Sequence, residues 1–166
     1  SSDLLLKAFA QIQTRIDHQL VVVGGEGWWC GTTYALVHEM GLNERVVFTG
    51  YVPNEQLRAL YTGADLFAFP SLYEGFGIAA LEALSCGTPV LAANNSALPE
   101  VTQDAALYVD PFDHNDIADK LVALLTSDEE INRLRKRCIP VARQFSWETA
   151  ARRTLAVLDG VRSEKA

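Results

Sequence analysis

Positive charge is scarce in this sequence: 14 Lys and Arg stand against 21 Asp and Glu, a net charge of −7. A surface that acidic repels phosphate polymers and anionic lipid, so nucleic acid is not an expected partner. The one basic cluster, Arg133, Arg135, Lys136 and Arg137, follows acids at 128–130 and reads as the solvated face of a helix. Cysteine is sparse too. Cys30, Cys86 and Cys138 are odd in number and far apart, which fits neither a disulfide framework nor metal-ligand spacing, so free thiols in a reducing compartment are expected. His18, His38 and His114 have no second ligand at i+4, and no metal site is expected. Long apolar runs are also missing, none approaching the ~18 residues that cross a bilayer. The opening Ser1-Ser2-Asp3 leads straight into an amphipathic pattern rather than a secretory signal.

What is present is an ordinary globular composition, 49% hydrophobic and 21% charged over 166 residues. That is enough chain for one domain with a sizeable core, and residues 1–166 read as a single domain. Five short apolar runs stand out: Leu20–Val23, Val46–Phe48, Leu66–Phe69, Pro89–Ala92 and Ala106–Val109. Each ends at Gly, Pro, Asn or Asp, as do strands buried on both faces of a parallel sheet. Between them lie segments of helical period, such as Leu5, Phe9, Ile12 and Ile16. Strand alternating with helix predicts a doubly wound, Rossmann-like α/β sheet.

After Asp110 only helical patterns follow. Asp113 is placed to cap a helix through Leu125, and Ser127 with Glu130 has capping-box spacing. Pro140 should kink or end the second helix. Ser146 then caps a last helix with Trp147, Ala151, Leu155 and Leu158 on one face.

The segment richest in chemistry runs from Phe69 to Val90. A strand ends at Phe69, a loop follows, and a helix starts near Gly75–Ile78. Gly75 and Gly77 let the backbone approach a ligand closely. The amides of Phe76, Gly77 and Ile78 would open the helix N-terminus, which carries about half a positive charge and suits a phosphate. Ligands of open α/β sheets bind beyond the carboxyl ends of the strands, where this loop sits. Glu74 precedes the helix, and Glu82 is expected about two turns above the phosphate end. A carboxylate accepts from two vicinal hydroxyls, so the pair suits a sugar and a ribose. The plainer alternative is that Glu74 caps the helix and Glu82 is an exposed helical residue. Against it, Glu82 sits among Ala79, Ala80, Leu81, Ala83 and Leu84, where an idle carboxylate is costly.

This stretch resembles the pattern of family 4 retaining glycosyltransferases, which have the two-Rossmann-domain fold called GT-B. The pattern is Glu, seven residues, Glu, then Ala-x-x-x-Gly-x-Pro-Val, matched here by Glu74, Glu82, Ala83, Gly87, Pro89 and Val90. Leu4-Leu5-Leu6-Lys7-Ala8-Phe9, Val22-Val23-Gly24-Gly25-Glu26-Gly27, Val47-Phe48-Thr49-Gly50-Tyr51-Val52, Leu98-Pro99-Glu100-Val101 and Phe145-Ser146-Trp147 match further landmarks in order. The resemblance implies a catalytic Glu74 holding donor-sugar hydroxyls, with the amides of Phe76, Gly77 and Ile78 on the diphosphate and Gly75 beside them in the donor site. It implies Glu82 on the ribose, backbone at Tyr51 and Val52 on the base edge, and Gly25 near the donor. The donor would be a GDP- or UDP-linked sugar, and transfer would need no metal or other cofactor. Overall the chain is similar to bacterial mannosyltransferases of surface polysaccharide, which points to GDP-mannose.

Compared with the family, the chain opens inside the first helix. The strand before it, with its diphosphate-clamping Arg and Lys, and the N-terminal half that binds a glycan or lipid-linked acceptor are expected upstream. The expected location is the cytoplasm, with any membrane contact made at the inner face through that other half. A sugar-nucleotide 2-epimerase shares the architecture and stays open, as does a non-catalytic nucleotide-sugar-binding subunit. Gly24, Gly25 and Gly27 do not have Gly-x-Gly-x-x-Gly spacing, which excludes a nicotinamide fingerprint. Trp28 and Trp29 fit either stacking on a ligand ring or packing.

Overall fold

The computed structural model describes residues 2–25 and 30–163, without the side chains of residues 30, 162 and 163. The elements are α1 (Ser2–Ile12), β1 (Leu20–Val23), α2 (Cys30–Glu39), β2 (Val46–Gly50), α3 (Asn54–Gly63), β3 (Phe67–Phe69) and α4 (Ile78–Ser85). There follow β4 (Val90–Ala93), α5 (Leu98–Thr102), a 3-10 turn (Gln103–Ala105), β5 (Ala106–Val109), α6 (His114–Leu125), α7 (Asp128–Ala142) and α8 (Trp147–Ser163). Each predicted apolar run became a strand, with ends moved by a residue or two. Trp28 and Trp29 lie outside the described residues.

Every strand pairing is parallel, as the alternation of strand and helix requires. β1 pairs with β2, and β3, β4 and β5 pair in that order, so the described strands form two ladders. The ladders share a direction. Arg45, just before β2, donates to the carbonyls of Gln13, Ile16 and His18 at 2.7–2.8 Å. His18, before β1, lies 3.6 Å from the carboxylate of Asp65, before β3. The amino ends of three strands therefore meet at one edge, and their carboxyl ends open at the other.

β4 is the shared wall of the core. Its period of two sends Leu91 to a cluster with Leu6, Phe9, Ile12, Ile117 and Leu121. Val90 and Ala92 face the other way, into a cluster with Ala80, Leu84, Leu98, Cys138 and Val141. Burial on both faces, expected of all five strands, holds along the whole of β4 alone. In β1, Leu20 and Val22 pack inward while Val21 and Val23 remain 43% and 40% exposed, because only one face of that ladder meets the core.

The helix ends follow the sequence closely. The Asp113 carboxylate accepts from Asn115 N at 2.8 Å, Ser127 Oγ from Glu130 N at 3.3 Å, and Ser146 Oγ from Thr149 N at 3.1 Å. The capping box is half formed, since Glu130 turns to Arg133 instead of back to the cap. Pro140 does not end α7, which continues to Ala142. It sits in the last turn, where losing one amide removes a single bond from a ladder about to stop. Three of the four basic residues of α7 form ion pairs: Arg137 with Asp104, Arg135 with Asp65, Arg133 with Glu130. Cys86 and Cys138 are free thiols, and burial pushes the Cys138 thiol up to about 11. α8 keeps the predicted stripe but buries none of it, Trp147 being 89% and Leu158 55% exposed. No helix among the described residues is long and apolar enough to cross a membrane.

Candidate functional site

The carboxyl edge of the strands carries the sequence-predicted site residues other than Glu82, which lies within α4. Gly24 and Gly25 follow β1, and Tyr51 and Val52 follow β2. A hydrogen bond from Gly24 N to Gly50 O at 3.1 Å ties these two exits together. The loop of residues 70–77 follows β3, and Asn94–Ser96 follows β4. Tyr51 is 80% exposed and Gly25 is exposed. Among the described residues, no hydrogen bond joins Gly25, Tyr51 or Val52 to the α4 junction.

That junction is built around Gly77. It caps α4 with φ +89° and ψ +48°, a left-handed conformation that residues with a Cβ rarely adopt. Its carbonyl accepts from Ala80 N and Leu81 N, which starts the helix. No side chain caps α4. The first amides of a helix have no internal partner, so this end presents unspent donors and the positive end of the helix dipole. Phe76 braces the junction from outside, its ring meeting that of Phe145 edge-on at 5.8 Å. Phe145 of the Phe145-Ser146-Trp147 landmark thus packs on the junction, far as it is in sequence.

Glu74 is half buried in the loop before α4. Its Oε1 accepts from Ser71 Oγ at 2.8 Å, and its own amide donates to Ser96 Oγ at 3.1 Å. It does not cap the helix, so the plainer reading of Glu74 fails. Glu82 departs from expectation twice. It is exposed rather than enclosed by its apolar neighbours, because Ala80, Ala83 and Leu84 take the buried face and leave its own face outward. It also lies about one turn, not two, above the amino end, since α4 begins at Ile78, the last residue of the expected Gly75–Ile78 start. Glu82 does have a partner: Tyr61 of α3 donates its hydroxyl to Oε2 at 3.3 Å. Burial, followed by the charge and hydrogen bond of Glu82, pushes the Tyr61 phenol up to about 12. Tyr61 stays a protonated donor at any physiological pH.

Sequence reasoning missed Tyr61, Ser71, Asn95 and Ser96. Asn94-Asn95-Ser96 directly after a strand was a visible turn signal on the ligand-facing edge. Tyr61 gave no such signal, because its contact depends on how α3 packs against α4.

In chemical terms the edge offers an uncapped helix end with one carboxylate, Glu74, in the loop before it and a second, Glu82, about one turn along the helix, donors for an anion and acceptors for hydroxyls. Three known proteins resemble this chain. The chain is 40% identical over 154 residues to O-antigen chain mannosyltransferase B of Escherichia coli, covering 91% of this chain and 40% of the relative. It is 38% identical over 136 residues to the MMP alpha-(1->4)-mannosyltransferase of Mycolicibacterium hassiacum, covering 78% and 32%. The sucrose-phosphate synthase of Thermosynechococcus elongatus superposes with TM-score 0.86 at 30% identity, over 98% of this chain and 42% of that one. The chain thus spans at most 40% of the length of these two curated relatives, and its fold is the Rossmann-like C-terminal half of a GT-B protein. The family model described as "Glycosyl transferases group 1" matches residues 2–145, and the chain belongs to that family.

Proposed function

We propose that this domain binds a nucleoside-diphosphate sugar for retaining, metal-independent transfer to a glycan or lipid-linked acceptor held by another part of the protein. One observation carries the reading: the amino end of α4 on the carboxyl edge of the strands is uncapped, with Glu74 in the loop before it and Glu82 about one turn into the helix. The diphosphate would sit on the amides of Gly75, Phe76, Gly77 and Ile78. Glu74 Oε2, opposite the oxygen bonded to Ser71, would accept from hydroxyls of the sugar. Glu82 would accept from the ribose, and the backbone at Tyr51 and Val52 would meet the base, with Gly25 lining the entry. The mannosyltransferase relatives favour GDP-mannose as donor. The helix end supplies only ~0.3–2 kcal/mol toward an anion. Further cations are therefore expected from outside these residues.

The fold has room for such a contribution. Among the described residues β1 and β3 each leave one edge unpaired, while their amino ends meet through His18 and Asp65. A parallel strand entering α1 fits between them, because a right-handed crossover through α1 then leads to β1. The free thiols support a cytoplasmic setting.

The test is a donor screen on the full-length protein with GDP-mannose, GDP-glucose, UDP-glucose and UDP-N-acetylglucosamine, with and without EDTA. Release of nucleoside diphosphate from GDP-mannose, undiminished by EDTA and with the anomeric configuration kept in the product, is expected. Conversion of a donor to its epimer without acceptor, or no turnover of any of the four, would refute the transferase reading.

Tyr61 supplies a second test of the same site. Tyr61→Phe removes the donor that orients Glu82, and a hydrogen bond of this kind contributes about 0.5–1.5 kcal/mol. Nucleotide affinity should fall about twofold to tenfold. Preference for the ribonucleotide over its 2′-deoxy analogue should shrink with it, as measured by calorimetry on both. An undiminished preference would separate Glu82 from the ribose.

A further inference from the structure

The Asn95–Ser96 turn grips the Glu74 loop from across the edge of the sheet. Asn95 Nδ2 donates to Leu72 O at 3.0 Å, and Ser96 Oγ accepts from Glu74 N at 3.1 Å. The two anchor points bracket Tyr73. Ser96 Oγ itself donates a hydrogen bond to Asn95 Oδ1 at 3.1 Å, so the hydroxyl both accepts and donates. To do this Ser96 holds φ at +48°, a left-handed conformation that costs a side-chain-bearing residue energy and in which glycine is the relaxed choice. A turn needed only to reverse the chain after β4 would be served better by glycine. The serine keeps a strained backbone and retains a hydroxyl aimed at Glu74.

At the other end of Glu74, Ser71 Oγ occupies Oε1 at 2.8 Å. The glutamate is thus fixed at its amide from one loop and at one carboxylate oxygen from its own. Among the described residues the second oxygen, Oε2, has no protein donor.

We propose that Ser96 and Ser71 are positioning residues for Glu74, setting its carboxylate so that Oε2 meets the hydroxyls of the donor sugar. This rests on the reading of Glu74 as a sugar-binding carboxylate. A displacement of about 1 Å in such a group can cost on the order of a hundredfold in rate, whereas the diphosphate, held by α4, does not depend on it. The two serines therefore act on the sugar and not on the nucleotide.

The experiment compares Ser96→Gly, Ser71→Ala and Glu74→Gln in the full-length protein. It uses the donor that the wild type turns over in the screen above and the matching nucleoside diphosphate alone. Ser96→Gly deletes the hydroxyl while relaxing the backbone, so it should keep or raise the melting temperature. The expected result is a kcat lower by about tenfold or more for both serine variants, with affinity for the nucleoside diphosphate within about twofold of wild type. If Ser96→Gly and Ser71→Ala keep wild-type kcat while Glu74→Gln is impaired, the positioning role is wrong and the Glu74 reading stands. If Glu74→Gln is itself unimpaired, both are wrong. Equal weakening of nucleoside diphosphate and donor binding in the serine variants also overturns the proposal, because it marks general disruption of the edge.

Discussion

Glu74→Gln in the full-length protein should lower kcat about a hundredfold while leaving nucleoside-diphosphate affinity nearly unchanged. The substitution keeps the shape of the side chain, and its remaining carbonyl can still accept from Ser71. What it removes is the negative charge and one acceptor site facing the ligand. Charged hydrogen bonds contribute about 1.5–3 kcal/mol, and loss of a preorganised transition-state partner about 3 kcal/mol. At ~1.36 kcal/mol per decade that is one to two orders of magnitude in rate. Two rival explanations of Glu74 would give other results. A helix-capping role would show as lost stability, but α4 has no side-chain cap and Glu74 makes its bonds to Ser71 and Ser96. A role in the diphosphate site would show as changed affinity for the nucleotide alone, and a carboxylate there would repel phosphate. Steady-state kinetics with donor, alongside calorimetry with the bare nucleotide, separate all three. Full activity of the variant would remove Glu74 from the reaction.

How far the sequence foretold this arrangement depends on the range of the interactions concerned. Strand positions, helix caps and the loop-to-helix junction before α4 are set by residues within a few positions of one another, such as Asp113 with Asn115 or Ser127 with Glu130, and they were legible. The junction was legible for the further reason that Glu74, Glu82, Ala83, Gly87, Pro89 and Val90 stand at the spacing the family shares. What failed was burial. Glu82 was expected to be enclosed because five apolar residues surround it in sequence, yet a helix sorts neighbours by angle, and Glu82 falls on the outward face. Continuous apolar runs suggested strands covered on both sides, but coverage comes from other elements, and β1 lacks it on one face. Tyr61 beside Glu82, Ser96 beside Glu74 and Phe145 beside Phe76 are contacts across 21, 22 and 69 positions. Contacts of that reach leave no periodic trace in a single sequence.

Gly77→Ala should be the most damaging single-atom addition at this site. With φ at +89° any L side chain is strained, at a cost of about 1–2 kcal/mol. A Cβ at position 77 would also stand 2.7 Å from Leu98 Cδ2. Leu98 is fully buried at the start of α5, so the methyl cannot retreat without disturbing its own neighbours. Overpacking of this kind costs about 1–3 kcal/mol. The sum, about 2–5 kcal/mol, would lower the melting temperature by roughly 5–15 °C in a domain this size. Because the clash lies at the cap of α4, the residual folded protein should also bind nucleotide more weakly, as the first amides shift with the helix end. Gly75→Ala is the internal comparison: its φ is unexceptional and its Cβ would meet nothing within 4 Å. Its effect on stability should stay within about 0.5 kcal/mol. A double substitution with Leu98→Ala resolves the two components, since it removes the steric one and leaves the backbone strain. The pair should then destabilise by less than the sum of its members, with a coupling of about 1 kcal/mol or more. Strict additivity would mean that Leu98 moves aside at no cost and that backbone conformation alone requires glycine at the cap.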